Sequence, residues 1–262
     1  MKTVAIIQAR MSSSRLPGKV LMRVKNKPLL LYMYERVNAS KEIDEIIIAT
    51  SIEESDNDIV NFCKENNLKY MRGSLNDVLD RYYQAAIMSK ANIIVRLTAD
   101  CPIIDPEVID LVVGDFKNGD YDYVANTAPP QDITYPEGMD VEVFSMSALE
   151  KAWKSSIKGS EREHVTFYFW KNKDKFKCFR SDLTYNRSEY RLTVDYFEDF
   201  LLVTKVLEAL YSPDKDFSMN EALDFLDRNP DIMNINNKIE SFSGWKDSLK
   251  NDFDSNFSKK YE

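Results

Sequence analysis

Apolar and polar positions follow two alternating rhythms over the first 125 residues. Short continuous apolar runs at 3–9 (TVAIIQA), 43–49 (IDEIIIA) and 92–97 (NIIVRL) read as strands buried on both faces. Shorter strands are expected at 68–71 and 122–125. The segments between them carry apolar residues at helical spacing, at 29–37, 56–66, 77–89 and 106–116. Within 77–89 the apolar set is Val78, Leu79, Tyr82, Ala85 and Ala86. Pro28 and Pro106 sit where a first helical position tolerates proline. Strands separated by helices in this way predict an α/β protein, with a mostly parallel sheet covered on both faces.

The rhythm changes after Asn126. Residues 127–138 (TAPPQDITYPEG) are a turn-rich loop. A strand is expected at 139–144, with Asp140 and Glu142 on one face. Helices follow at 147–155 and 160–171, strands at 176–179 and 191–194, and helices at 196–210 and 219–229, the last ended by Pro230. Residues 231–262 are rich in Asn, Lys, Ser and Asp and read as a peripheral or disordered tail. The expected organisation is one domain over 1–230, with an inserted acceptor and dimer subregion at 127–190, then a polar tail at 231–262.

Composition narrows the chemistry. Of 262 residues, 44% are hydrophobic, enough for a full core, and the formal charge is −8, which argues against a nucleic-acid partner. The charge is uneven. Residues 1–36 hold eight basic side chains against the single acid Glu35. One histidine, His164, excludes a multi-histidine metal site, and no G-x-S-x-G elbow marks a hydrolase triad. Three cysteines without C-x-x-C spacing fit a reducing cytoplasm, and G-x-G-x-x-G is absent. No signal peptide is visible, and no apolar run reaches the length of a membrane span, so no membrane partner is expected.

The cations gather in Gln8–Leu21, QARMSSSRLPGKVL, just past the first strand. In an open α/β sheet this is where ligands bind. Arg10, Arg15 and Lys19, with hydroxyls at Ser12 to Ser14, suit a triphosphate. Thr98-Ala99-Asp100-Cys101-Pro102 ends the NIIVRL strand, and a carboxylate there can hold Mg²⁺ against phosphates. Asp195, in Arg191-Leu192-Thr193-Val194-Asp195, is either a second metal carboxylate or a helix N-cap.

QARMSSSRLPGKVL, TADCP and RLTVDYFEDF together resemble the cytidylyltransferases that make CMP-activated acidic sugars. The Kdo and acylneuraminate enzymes are members of that family, and the layout is most similar to the spore coat polysaccharide biosynthesis protein F branch. The resemblance implies a nucleotidyltransferase-type, nucleotide-diphospho-sugar transferase-like three-layer fold, usually homodimeric. It implies that Ala9, Arg10, Ser13, Arg15, Lys19 and Ala99 bind the CTP phosphates and nucleoside. Arg72, Asp77 and Arg81 would lie near the base and ribose. Asp100 and Asp195 would hold Mg²⁺, with Arg10, Lys19 and Asp100 at the centre of catalysis. In this chain the segment around Arg72 reads RGSLNDVLDRYYQA, unlike the Kdo enzymes.

Glu137, Asp140 and Glu142, with Arg162, His164 and Arg191, are the candidates for binding an acidic sugar or phosphorylated acceptor. The expected reaction transfers CMP from CTP and releases pyrophosphate, for surface polysaccharide or glycan synthesis. The rival is a metal-dependent glycosyltransferase using a nucleotide-sugar donor. Such enzymes commonly carry an Asp-x-Asp pair, whereas Asp100 has Thr98 and Pro102 at the spaced positions.

Overall fold

A computed structural model describes residues 1–212 and 216–240. Its sheet strands in chain order are β1 (Thr3–Gln8), β4 (Glu45–Ser51), β5 (Tyr70–Gly73), β6 (Ile93–Thr98), β7 (Tyr123–Ala125), β8 (Glu142–Ser145) and β9 (Cys178–Arg180), with a separate hairpin of β2 (Arg23–Val24) and β3 (Lys27–Pro28). The seven sheet strands lie in the order β5-β4-β1-β6-β8-β7-β9. β8 alone runs against its neighbours, pairing antiparallel with both β6 and β7. The fold class read from the sequence is the one observed.

The helices are α1 (Leu29–Asn38), α2 (Asn57–Glu65), α3 (Val78–Ser89), α4 (Pro106–Asn118), α5 (Met146–Ser155), α6 (Gly159–Glu163), α7 (Phe167–Lys171), α8 (Phe197–Leu210), α9 (Met219–Arg228) and α10 (Pro230–Met233). Strand alternation splits the core into two layers. Ala5 and Ile7 of β1 face α1, α2, α4, α8 and α9. Val4 and Ile6 face α3, α5 and α7. β1 is therefore buried on both sides, which is why its run is continuously apolar.

Four expectations are corrected. The strand expected at 139–144 begins only at Glu142. Before it, the Asn126 side chain bonds the Met139 carbonyl (2.6 Å) and the Val141 N–H (2.9 Å), replacing strand pairing and leaving Asp140 in a loop. The helix expected at 160–171 breaks into α6 and α7, because Val165 takes a left-handed φ of 57°. Segment 191–194 is no strand. It makes one bridge, Glu137 to Arg191, and ties to the end of β6 through Val194 N–H to the Asp100 carbonyl at 2.7 Å.

The fourth concerns the tail. α10 and a following turn to Asn236 are folded, and Asn236 is buried. Its amide donates to Asp199 Oδ1 (2.8 Å) and to the Arg191 carbonyl (3.1 Å). An asparagine buried by its hydrogen bonds leaves no apolar signal in sequence. Residues 241–262 of the expected tail lie outside the described residues. The β2–β3 hairpin was also unforeseen. Lys25 and Asn26 both take positive φ at its turn, the geometry of two-residue hairpins.

Candidate active site

The parallel neighbours β1 and β6 end side by side, with Gln8 opposite Thr98. Ala9 and Ala99 carry the ladder one step further, Ala99 N–H bonding the Gln8 carbonyl at 3.0 Å. The two chemistry-bearing loops thus leave the same edge. The basic loop is pinned at its start, where the Met11 N–H donates to Asp56 Oδ1 at 2.7 Å. Asp56 is fully buried and also accepts from Ser51 N–H and Thr50 Oγ1. Burial opposes its charge, but these hydrogen bonds outweigh it and hold its carboxyl below the usual range. The loop closes on itself through Gly18 N–H to the Met11 carbonyl (2.8 Å), with Gly18 at φ 74° opening the turn that carries Lys19.

The loop overlooks a cavity of about 620 Å³. Its lining includes Arg10, Ser13, Arg15 and Lys19 of the basic loop together with Asp100 and Asp195. Lys19 joins the two groups. Its ammonium lies 2.9 Å from Asp100 Oδ2 and 2.8 Å from Asp195 Oδ1, and Arg15 reaches Asp195 Oδ2 at 2.8 Å. Burial opposes both charges at Lys19 and Asp100. Their attraction wins, raising the Lys19 pKa and holding Asp100 down at about 2. Asp195 is not the helix cap. Tyr196 occupies that position, and Asp199 accepts from the N–H groups of both Asp195 and Tyr196. Two carboxylates that already converge on one cation form an oxygen donor set suited to Mg²⁺ completed by phosphate oxygens.

Arg81 is the least conventional member. It is 1% exposed, yet its Nε and Nη1 have no hydrogen-bond partner. Burial lowers its pKa, and the Arg10 charge beside it lowers it further. An unpaired buried guanidinium is costly unless a ligand supplies acceptors. Gly73 makes room for it, since a Cβ there would sit 2.6 Å from Arg81 Cγ. Gly73→Ala is therefore expected to displace Arg81, costing about 1–3 kcal/mol of stability and raising KM for the nucleotide. Thermal unfolding and initial-rate kinetics check it.

Glu137, Asp140, Glu142 and His164 also line the cavity. Asp140 accepts from Thr127 Oγ1 and the Gly138 N–H, each at 2.7 Å. Burial, with Asp100 and Glu142 nearby, pushes its carboxyl above the usual range despite those bonds. Gly138 takes φ 104°, and a Cβ there would lie 2.5 Å from the Leu192 and Thr193 backbone, so only glycine lets the two loops meet.

Four expected site residues are not brought to the cavity wall. Arg72 ties β5 to the 51–57 turn, through the Ser51 and Glu53 carbonyls and Asn57. Asp77 caps α3 and pairs with Arg162, whose other arm holds the Trp153 carbonyl. Arg191, 7% exposed, is enclosed by Glu137, Asp199 and Asp195. Conversely, Arg96, Thr127, Thr193 and Tyr196 line the cavity unforeseen. Arg96 carried a readable signal, a charge inside the apolar run NIIVRL. It is buried against Glu142, which also takes the Tyr123 hydroxyl.

A cytidylyltransferase family profile matches residues 4–226. The chain belongs to the cytidylyltransferase family. It is accordingly a CTP-dependent nucleotidyltransferase. The spore coat polysaccharide biosynthesis protein SpsF of Bacillus subtilis is 34% identical over 86% of this chain and 94% of its own length. The 3-deoxy-manno-octulosonate cytidylyltransferase of Thermodesulfovibrio yellowstonii is 32% identical, over only 45% of this chain and 49% of its own. A solved cytidylyltransferase from Leptospira borgpetersenii superposes with a TM-score of 0.84 at 36% identity, covering 92% of this chain and 99% of that one. The resemblance read from the three motifs is therefore correct at the level of family and fold. Among the described residues no helix is long and apolar enough to cross a membrane.

Proposed function

We propose that this enzyme transfers CMP from CTP to an oxygen of an acidic sugar or phosphorylated small acceptor, releasing pyrophosphate, in the synthesis of a surface polysaccharide or glycan. The observation that carries this reading is the gathering of Arg10, Arg15 and Lys19 with Asp100 and Asp195 in the lining of one cavity at the ends of β1 and β6, Lys19 bridging both carboxylates. In-line attack at the α-phosphorus forms one P–O bond and breaks the bond to the departing pyrophosphate. Such a reaction needs positioning and charge neutralisation more than a covalent nucleophile.

The basic loop meets the developing negative charge on the leaving group. Arg81 offers its unpaired N–H groups to the nucleoside end, as acceptors there would relieve its buried charge. Asp140 and His164, also in the lining, are the groups available to receive the proton of an acceptor hydroxyl. Mg²⁺ between Asp100 and Asp195 would supply charge neutralisation at the phosphate oxygens. SpsF, whose similarity runs nearly end to end, carries polysaccharide biosynthesis in its name, which supports a glycan destination.

The test is a pyrophosphate-release screen of four nucleoside triphosphates against acidic sugars and sugar phosphates. CTP with one acidic or phosphorylated acceptor is expected to dominate. Turnover only with a neutral sugar, or equal use of all four bases, would reject the substrate assignment.

A further inference from the structure

The carboxylate pair and the basic loop do not wait apart for their ligands. The Lys19 ammonium sits on both carboxylates, 2.9 Å from Asp100 Oδ2 and 2.8 Å from Asp195 Oδ1, while Arg15 occupies the other Asp195 oxygen at 2.8 Å. We propose that Lys19 is a cation place-holder that makes divalent-metal binding at Asp100 and Asp195 conditional on arrival of the nucleotide triphosphate. The proposal rests on the reading of the cavity as a CTP site.

Three features support it. First, the pair is already countered, with two carboxylates facing the Lys19 ammonium and the Arg15 guanidinium and Arg191 also 3.3 Å from Asp195 Oδ2. A dication entering alone would compete with Lys19 for the same oxygens and meet these positive charges at close range. Second, the Lys19 side chain can change partners while its backbone stays in place. Its backbone is fixed in a short turn by Lys19 N–H to Leu16 O and Met22 N–H to Lys19 O, and the neighbouring Val20 is buried. A lysine's four-carbon stem carries a compact charge that can swing between anions while its Cα stays in place. Third, the alternative anion has its place in the same lining. Arg10 and Ser13 line the cavity beside Lys19, so a triphosphate seated there gives the ammonium phosphate oxygens in exchange for carboxylates.

When Lys19 turns to phosphate it leaves Asp100 Oδ2 and Asp195 Oδ1, and those two oxygens are then available to a cation, while Arg15 and Arg191 keep Asp195 Oδ2. The consequence is an order of binding, in which the free enzyme holds metal weakly and the nucleotide-bound enzyme holds it well. No other cation reaches Asp100 among the ion pairs of the described residues, so Lys19 alone guards that oxygen.

Mn²⁺ binding to the full chain tests this, read by electron paramagnetic resonance without any turnover. An unreactive CTP analogue with a methylene between the α- and β-phosphorus serves as the nucleotide. Wild type is expected to bind Mn²⁺ at least tenfold more weakly without the analogue than with it. Lys19→Met is expected to bind Mn²⁺ at least tenfold more tightly than wild type when nucleotide is absent. Adding Asp100→Asn to Lys19→Met is expected to abolish that gain, and thermal unfolding confirms that each variant is folded. Equal Mn²⁺ affinity of wild type with and without the analogue, or no gain in Lys19→Met, would overturn the proposal. Binding of the analogue in EDTA is measured separately. A chain that does not bind it loses the CTP reading itself, while the Lys19→Met comparison still decides the place-holder.

Discussion

Asp100→Asn is expected to lower pyrophosphate release from CTP by at least 10²-fold, about 3 kcal/mol of transition-state stabilisation. The substitution keeps the side chain's shape and removes its charge. The Asp100 backbone is held independently of that charge, its carbonyl accepting from the Val194 N–H at 2.7 Å and Thr193 Oγ1 at 3.2 Å. The loss therefore reads as chemistry and not as unfolding. Asp100 gives up its role twice, as the anion that holds Lys19 in place and as a donor for a cation at the phosphates. Thermal unfolding within a few degrees of wild type, together with the fall in kcat, is the expected pair of results. A normal rate in a folded Asp100→Asn enzyme would remove Asp100 from the mechanism.

The second large effect is on the fold. Arg191→Met is expected to cost about 3–5 kcal/mol, because it strips the countercharge from buried carboxylates. Asp199 is fully buried and bonds Arg191 Nε at 2.9 Å, and Glu137 meets Nη1 at 2.5 Å. The same Asp199 holds the Asp195 and Tyr196 N–H groups and the Asn236 amide. One guanidinium thus fastens the 137 loop, the start of α8 and the folded end of the described chain. For a chain of this size the loss is a fall in Tm of about 10 °C. Arg191→Lys retains a charge but not the planar fork, and is expected to recover only part of it. Calorimetry on the two variants gives the comparison.

What the sequence made legible follows physical lines. Strands buried on both faces announce themselves as continuous apolar runs, so β1, β4 and β6 were readable, and with them the parallel sheet. The gathering of Arg10, Arg15 and Lys19 at one cavity was readable too, since they crowd a loop that follows the first strand. Asp100 and Asp195 were read together as one of two readings of Asp195 and through the family resemblance, but their meeting on Lys19 carried no local sign, since the residues stand 95 positions apart and come together through Val194 N–H to the Asp100 carbonyl. Arg191 and Arg162 read equally as acceptor cations or as partners of the region's acids, because sequence shows a charge without its partner. Folded, each is satisfied by carboxylates brought in from elsewhere. The break at Val165 was hidden for the same reason. A β-branched residue at positive φ is unfavourable locally and is kept by its complete burial.

The most direct test of the central claim is phosphorus NMR of the enzyme with CTP, Mg²⁺ and the best acceptor from the screen. The account predicts that pyrophosphate and a new phosphodiester signal of the CMP-linked product rise together in wild type, and that both are absent with Asp100→Asn or Lys19→Ala. Undiminished product in those two variants, or a nucleoside diphosphate released only from a nucleotide-sugar donor, would contradict it.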